Sequence, residues 1–288
     1  MSPRFPLRPL TAATALAVAL AVVLPVAPAA AQGRAAAAVA AAPVPARTAD
    51  PTVLADEFRD PGTLESWRRF DRVEGWPDHA RRVVIDPTRD GELVIEPHTS
   101  GWYEDFHAPF LFKEVSGDFV VTARVRADGV AHPTPRAAWS LAGLMVRAPR
   151  DITPRTWTPG GENWLFITTG VADDLDRPVI ETKSTVNSRS ALRLHPARAG
   201  WMELRITRRG AAFELASRYD GEDWIPRARF DRPDLPATVH VGLNAYSDWW
   251  TAKSLHGDPL KFDTTVLADG KPDLRLRVDW IRVDERVR

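Results

Sequence analysis

Period-two alternation is the feature that most restricts what this chain can fold into. Apolar side chains alternate with polar ones in four long runs, at 119–126, 202–207, 239–246 and 274–280. Because successive side chains of a strand point to opposite faces, each run predicts a strand with one face on a core. In the last run, Leu274, Leu276, Val278 and Trp280 are expected to share the buried face.

Shorter runs and turn signals fill the intervals between the long ones. The shorter runs lie at 93–95, 111–113, 141–147, 164–168, 179–186 and 213–217. Asp-Gly pairs, of which Asp220-Gly221 is best placed, favour the tight turns that join neighbouring strands. Residues beyond 52 show no sustained helical period. The pattern therefore predicts an all-β domain, either a sandwich or a barrel.

The N-terminal segment reads as an export signal. Arg4 and Arg8 precede an apolar stretch at 10–26, and Ala29-Ala30-Ala31 supplies the small residues that signal peptidase requires. The alternative is an uncleaved membrane anchor, since a run of about 17 residues is near the lower limit for spanning a bilayer. We expect a signal peptide at 1–31, and a secreted or periplasmic protein with no membrane attachment after cleavage. An Ala/Pro-rich linker at 32–51 would then precede one folded domain at 52–288.

Composition and missing motifs exclude several functions. Lys+Arg and Asp+Glu number 38 each, and a zero net charge argues against a nucleic-acid partner. The chain has no cysteine, which excludes disulfides, thiolate nucleophiles and Cys-ligated zinc. It has no P-loop, no dinucleotide-binding fingerprint and no Gly-x-Ser-x-Gly motif. The seven histidines show no metal-binding spacing. The oligomeric state cannot be read from the sequence.

The order of short motifs suggests a family. These motifs are Trp102-Tyr103-Glu104-Asp105, Gly117-Asp118-Phe119, 142–147 (AGLMVR), Glu162-Asn163-Trp164, 180–183 (IETK) and 241–245 (VGLNA). Over roughly residues 53–288 the chain resembles the concanavalin A-like lectin/glucanase superfamily. Within that superfamily it is most similar to the domain-of-unknown-function family 1349. The resemblance implies a two-sheet antiparallel jelly-roll β-sandwich. It says less about activity, because the biochemical role of that family is largely undefined.

A second resemblance concerns the two ends of the domain. Residues 55–58 (ADEF) and 278–283 (VDWIRV) look like the first and last strands of laminarinase-type glucanases, where this corner often holds calcium. The resemblance implies Glu57 and Asp279 as ligands of a structural calcium ion. The alternative is that both acids simply face solvent. No other cofactor is expected.

Aromatic residues are the first set of candidates for ligand binding, because a flat ring can stack on the apolar face of a sugar. The strongest candidates are Trp102, Tyr103, Trp164 and Trp249, with Trp139, Trp157 and Trp250 as further ones. The alternative for each tryptophan is core packing, since its large apolar area favours burial. Trp249-Trp250 is a special case, because adjacent strand residues face opposite ways and one of the two is expected to point outward.

Polar residues form the second set, which comprises Arg147, Asn163, Glu181, Lys183, Asn244 and Tyr246. All but Asn163 lie on predicted strands, opposite apolar neighbours. Gathered on one sheet face, such groups suit the recognition of sugar hydroxyl or carboxylate groups. The alternative is an ordinary solvated sheet face with exposed ion pairs. Periodicity does not tell which sheet or which face they occupy.

Catalysis would require more than these residues provide. Glycoside hydrolysis normally uses two carboxylates that flank the bond. The Glu-x-Asp-x-x-Glu strand usual in glucanases of this superfamily is absent, and so are the strands typical of jelly-roll alginate lyases. Glu181 is the candidate acid or base if the protein is an enzyme. We therefore expect a carbohydrate-binding protein. A glycoside hydrolase or polysaccharide lyase is the first alternative, and a structural or protein-interaction domain is the second.

Overall fold

The computed structural model describes residues 54–89 and 91–283. The predicted signal peptide (1–31) and linker (32–51) lie outside the described residues. Within the described ranges, no helix is long and apolar enough to cross a membrane.

Two antiparallel sheets of seven strands each make up the domain. In spatial order, sheet I consists of β1 (Arg68–Arg69), β4 (Phe110–Ser116), β13 (Thr238–Tyr246), β6 (Ser140–Arg147), β7 (Trp164–Val171), β8 (Pro178–Val186) and β9 (Arg189–Pro196). Sheet II consists of β12 (Ile225–Asp231), β11 (Ala212–Arg218), β10 (Met202–Arg209), β5 (Phe119–Asp128), β14 (Arg275–Val283), β3 (Glu92–Pro97) and β2 (Ala80–Asp86). This arrangement confirms the predicted all-β sandwich.

Helices are short and lie in the connections between strands. The α-helices are α1 (Phe70–Glu74), α2 (Trp249–Ala252) and α3 (Pro259–Asp263). Turns of 3-10 helix occur at Pro61–Ser66, Pro87–Arg89 and Lys253–Leu255. Their brevity agrees with the absence of a helical period in the sequence.

The main core lies between the two sheets and consists of the apolar residues of the alternating runs. Val121, Leu204 and Val241 are completely buried there, as the period-two pattern predicts. Complete burial of one such side chain stabilises the fold by about 1.5–3 kcal/mol. The prediction for Trp280 was wrong, because the register of β14 shifts between Val278 and Trp280 and places Ile281 in the core instead.

The ends of the described chain meet at one edge of the core. Asp56 and Ile281 exchange backbone hydrogen bonds of 2.9 Å in each direction, which confirms that the first and last segments are adjacent. The predicted hairpin at Asp220-Gly221 is also confirmed, because Gly221 has a φ of 77° and β11 pairs with β12. β8 and β9 are joined by a turn the sequence did not reveal, at Asn187 (φ 46°) and Ser188 (φ 59°).

Candidate functional site

The outer face of sheet I, which points away from sheet II, carries most of the predicted site residues. Strand register aligns Gly242, Met145, Phe166 and Lys183 in one row across β13, β6, β7 and β8. The next row holds Asn244, Gly143, Thr168 and Glu181. A second hydrophobic cluster covers part of this face and is called here the aromatic layer. Its largest members are Phe70, Trp76, Trp102, Phe110, Phe112, Trp164, Phe166 and Tyr246.

A cleft of about 290 Å³ opens where the aromatic layer ends. Most of its lining is aromatic or cationic, and the lining residues are Gly101, Trp102, Tyr103, Trp139, Lys183, Leu192, Tyr246, Trp249, Lys253 and His256. None of these residues, all within the described ranges, is acidic. The cleft therefore offers ring faces and hydrogen-bond donors to a ligand.

Lys183 forms the floor of the cleft and is only 2% exposed. Its Nζ donates to the backbone oxygen of Trp102 at 2.9 Å and lies 2.9 Å from Oε1 of Glu181. Three rings surround the same ammonium group, with centroids at 5.5 Å (Tyr103), 5.0 Å (Phe166) and 5.5 Å (Tyr246). Cations are attracted to ring faces at such distances. Lys183 is therefore held as a positioned cation rather than as a mobile surface lysine.

Glu181 lies behind the floor and is completely buried. It accepts a short hydrogen bond from the hydroxyl of Tyr246 through Oε2, while Oε1 faces Lys183. Burial and the neighbouring charge of Glu181 raise the pKa of Tyr246 well above its ordinary value. Tyr246 is thus a neutral phenol whose hydroxyl donates a hydrogen bond to Glu181. This bond links β13 to β8 across the face of the sheet.

Trp249 forms one wall of the cleft. Its ring lies 5.7 Å from Tyr103 and 5.6 Å from Phe106, the latter edge-on. The neighbouring Trp250 does not line the cleft and is 52% exposed, with Nζ of Lys253 at 4.4 Å from its ring. One tryptophan of the pair thus lines the cleft and the other faces solvent, which makes them a natural matched pair for mutation.

Arg147 belongs to a separate cluster of charges under the aromatic layer, where it is completely buried. Its guanidinium lies 2.5 Å from Glu74 and 2.8 Å from Glu162, over the ring of Phe70. Burial opposes the charge, but the two carboxylates outweigh that effect and raise the pKa of Arg147. Both carboxylates are thereby engaged by Arg147 inside the protein.

His107 extends this cluster of charges towards α3. Its Nε2 lies 3.2 Å from Glu162 and its Nδ1 lies 3.0 Å from Asp263. Burial works against protonation, but Asp263 and Glu162 outweigh it and raise the pKa of His107 to about 10. The charged imidazole therefore ties α3 to the loops that cover sheet I.

Six of the predicted candidates line the cleft, namely Trp102, Tyr103, Trp139, Lys183, Tyr246 and Trp249. Glu181 lies directly behind them. The others are elsewhere, since Arg147, Asn163, Trp164 and Asn244 are not among the residues that line it.

These remaining residues make contacts within the protein, and Asn163 is only half-buried. Asn163 receives a hydrogen bond of 2.9 Å from the backbone of Asn187 in the β8–β9 turn. Trp164 is completely buried and stacks on Phe166 at 5.2 Å. Asn244 is also completely buried, and neither polar atom of its amide has a hydrogen-bond partner among the described residues.

The predicted calcium ligands lie on the sheet II side of the sandwich. Glu57 binds Arg282 through two hydrogen bonds of 2.7 and 2.8 Å, and Asp279 binds Arg124 at 2.9 Å. Across the ranges the structure describes, no group of three or more His, Asp or Glu side chains is arranged to hold a metal ion. The calcium site stays a prediction.

Sequence reasoning missed four of the lining residues, Gly101, Leu192, Lys253 and His256. Lys253 and His256 follow Trp249 at positions +4 and +7, which is the spacing of one helical face and a usable signal. Leu192 lies opposite Lys183 in the β8–β9 pairing, and only the strand register reveals that.

No protein-family model matches the sequence, and no curated protein matches it. Solved structures do resemble the fold. Xyloglucan PUL GH43B of Bacteroides ovatus matches with a TM-score of 0.50 and 12% identity over 80% of this chain and 39% of that one. A xylan beta-1,4-xylosidase from Bacillus halodurans C-125 matches with the same values. A functionally unknown Saccharomyces cerevisiae protein matches with a TM-score of 0.48 and 17% identity over 73% of this chain and 96% of that one.

The first two likenesses support the sandwich fold alone. The chain spans about two fifths of the length of the Bacteroides ovatus and Bacillus halodurans proteins. The finer resemblance to the domain-of-unknown-function family 1349 is not confirmed by them.

Proposed function

We propose that this protein binds a carbohydrate chain in the cleft and does not cleave it. The observation that carries the proposal is the combination of an aromatic lining with a fixed cation at the floor, Lys183. Small-ligand sites typically join apolar walls to a few well-placed polar groups. Sugars match such a site, because each ring has an apolar face and a rim of hydroxyl groups.

The aromatic walls account for affinity. Tyr103 and Trp249 stand 5.7 Å apart at an interplanar angle of 58°, so they present two differently oriented ring faces to the cleft. Both are held by neighbours and lose little freedom when a ligand binds. Rigid aromatic side chains give a large contact area at a low entropic cost. Stacking of sugar C–H groups on these faces tolerates a range of sugars.

The polar groups account for orientation. An ammonium group has three donors, and the two contacts of Lys183 with Trp102 and Glu181 leave it capable of one more hydrogen bond. Lys253 and His256, which also line the cleft, add further donors. Sugar hydroxyl oxygens would accept from these groups while the rings hold the apolar face.

The surroundings of Glu181 favour binding over catalysis. Glycoside hydrolysis needs two carboxylates on either side of the bond, but the lining residues include no acid. Glu181 is buried behind Lys183 and Tyr246, and a lyase would need a base that the raised pKa of Tyr246 does not supply. The names of the Bacteroides ovatus and Bacillus halodurans structures, which mention xyloglucan and xylan, agree with a carbohydrate ligand for this fold. The same proposal includes export of the protein, for which the N-terminal sequence is the support.

Replacing Trp249 by alanine tests the proposal most directly. A glycan array on residues 52–288 identifies the ligand, and titration calorimetry measures its affinity. We expect Trp249→Ala to weaken binding about tenfold or more, equivalent to about 1.4 kcal/mol, because one stacking wall is lost. Trp250→Ala is the matched control, since Trp250 does not line the cleft and approaches it only through Lys253, and its affinity should fall far less than that of Trp249→Ala. Equal effects of the two changes would place the ligand outside this cleft.

Glu181→Gln separates binding from catalysis. Glutamine keeps an acceptor for Tyr246 but leaves Lys183 without its counter-charge. In a binding protein the affinity should fall modestly, by about 1 kcal/mol, and the wild type should release no reducing ends from xylan and form no unsaturated product from alginate. Product formation by the wild type that disappears in Glu181→Gln, with ligand binding retained, would instead establish an enzyme.

A further inference from the structure

Two walls of the cleft come from segments that are far apart in sequence and meet at Asp248. One wall is the loop 99–103, which supplies Gly101, Trp102 and Tyr103. The other is the segment 248–256, which supplies Trp249, Lys253 and His256. We call their meeting point the junction and define it by Thr99, Asp248, Thr251 and Lys271.

Asp248 has a backbone conformation that most residues avoid. Its φ is 63° and its ψ is 47°, in the left-handed region, and its side chain is largely buried. Aspartate and asparagine tolerate this region better than other non-glycine residues, but it still carries a cost. Residues held in such conformations persist where the surroundings specify them strongly. At Asp248 the surroundings do so through the carboxylate.

The carboxylate of Asp248 reaches three different segments. Its Oδ2 accepts from the hydroxyl of Thr99 at 2.8 Å and from the backbone N–H of Lys271 at 2.7 Å. Its Oδ1 accepts from the hydroxyl of Thr251 at 3.0 Å, within α2. One side chain thus binds the loop that begins the first wall, the helix that begins the second wall, and the segment that precedes β14.

Backbone contacts reinforce the same junction. Ser100 N–H donates to the oxygen of Ser247 at 3.0 Å, so the two walls also pair through their main chains. The oxygen of Asp248 accepts from Thr251 N–H at 3.2 Å and from Ala252 N–H at 3.1 Å, which starts α2. The position of Trp249 therefore follows from the orientation of Asp248.

Side chains and backbone pack closely at the junction and at the adjoining Gly101. A Cβ atom on Gly101 would lie 2.8 Å from Cε3 of Trp249, so that ring packs directly on the backbone of the opposite wall. A Cβ atom on Gly270 would lie 1.9 Å from Oγ1 of Thr99. Glycine at both positions permits a close approach that any larger residue would disturb.

A neighbouring acid shows what simple helix capping looks like. Asp258 caps α3 by accepting from Lys261 N–H at 3.0 Å, and this contact stays within its own helix. Asp248 also precedes a helix, but its bonds to Thr99 and Lys271 span 149 and 23 residues. Its contacts join segments rather than complete one helix.

We infer that Asp248 is the positioning residue of the cleft, and that it fixes the separation and angle of the walls that carry Tyr103 and Trp249. The inference rests on the proposed function for its consequence, which is ligand affinity. Its structural content is independent of any ligand: the two walls are one coupled unit, and loss of the Asp248 carboxylate releases both.

Hydrogen exchange on the ligand-free protein tests the coupling. Asp248→Ala and Thr99→Val should raise amide exchange both in 99–103 and in 248–256. Thr99→Val removes only one hydroxyl, so it keeps the test informative if Asp248→Ala fails to fold. Asp248→Asn tolerates the left-handed conformation and keeps one acceptor, and it should show an intermediate effect. Asp258→Ala is the matched control and should raise exchange only around α3.

Calorimetry with xylohexaose tests whether release of the two walls lowers the affinity for a ligand. We expect Asp248→Ala and Thr99→Val to weaken binding tenfold or more, with Asp248→Asn closer to the wild type and Asp258→Ala unchanged. Exchange that rises in 248–256 alone, or in neither wall, would overturn the inference. So would loosened walls with unchanged affinity. If the wild type itself does not bind xylohexaose, the proposed function fails for that ligand, while the exchange result still decides the coupling.

Discussion

The outer faces of the two sheets carry similar charged residues in opposite surroundings. On sheet I, Arg147 and Glu181 are completely buried and lie under aromatic rings or behind them. On sheet II, charged side chains such as Arg124 and Arg282 are partly exposed and pair with acids at the surface. The difference comes from the connecting loops. They bring Phe70, Trp76 and Trp102 onto the aromatic side chains of the sheet I strands and so complete the aromatic layer.

Contacts between cations and aromatic rings are arranged differently on the two faces. On sheet II, Arg124 lies 4.6 Å from the ring of Trp201, and Arg205 lies 3.6 Å from the ring of Trp224, so arginines cover these tryptophans. On sheet I the rings surround the cation, as Tyr103, Phe166 and Tyr246 do for Lys183. Only the second arrangement leaves ring faces that line a cleft. Whether connecting loops cover a charged sheet face therefore decides whether that face forms a binding site.

The largest difference between the two faces is expected in the stability lost when one arginine is replaced. Arg147→Met leaves Glu74 and Glu162 without their main partner inside the protein, and breaking a buried pair typically costs about 3–5 kcal/mol. Arg124→Met on sheet II should cost about 1 kcal/mol or less, because exposed pairs contribute little. Urea unfolding of both variants measures the difference. Similar losses would mean that burial does not separate the two faces energetically.

A smaller effect is expected from the titration of His107, which should make the free energy of unfolding depend on pH. The folded-state pKa of His107 is raised from 6.5 to about 10, so its stabilising effect is complete below about pH 6.5 and is lost as the pH rises towards 10. The free energy of unfolding should therefore fall between pH 7 and 9, by at most about 1.4 kcal/mol per pH unit. Urea titrations at several pH values measure this slope.

His107→Gln should flatten that slope, because glutamine does not titrate. His240→Gln is the control. The pKa of His240 is lowered to about 3, mainly by burial and by the charge of Arg147, so any contribution to pH-dependent stability falls below pH 6.5. A slope above pH 7 that survives in His107→Gln would show that another group causes it.

The smallest effect is expected at the exposed corner of sheet II. Glu57→Gln breaks the pair with Arg282 and should cost less than about 1 kcal/mol, since both partners are exposed. The calcium prediction can be tested in the same melting experiment. If Glu57 and Asp279 bind calcium, millimolar calcium should raise the melting temperature of the wild type and not that of Glu57→Gln. An unchanged wild-type melting temperature would count against the site.

Local alternation was enough to predict most of the fold. The runs around Val121, Leu204 and Val241 became strands with the predicted faces buried. Strand β9 was missed because it lies at the edge of sheet I and exposes residues such as Leu192 and Leu194, so no buried face marks it in the sequence. Trp280 was assigned to the wrong face because a bulge is a register property that alternation alone does not reveal.

The candidate site was harder to predict, because its environment is made by loops. Periodicity placed Arg147 and Lys183 on faces opposite to their apolar neighbours, which is correct. It gave no means of telling that loops cover Arg147 while Lys183 borders a cleft. Trp102 and Trp164 show the same limit, since both are completely buried and only Trp102 contributes to the lining.

The place of β14 in sheet II has a consequence for synthesis on the ribosome. This strand is the last of the described chain, yet it lies between β5 and β3 in the middle of the sheet. Until it emerges, the β2–β3 hairpin has no partner strand that connects it to β5, and one side of the core remains open to water. Growth of the nascent chain therefore cannot complete the domain strand by strand, and the sandwich closes only after β14 has left the ribosome.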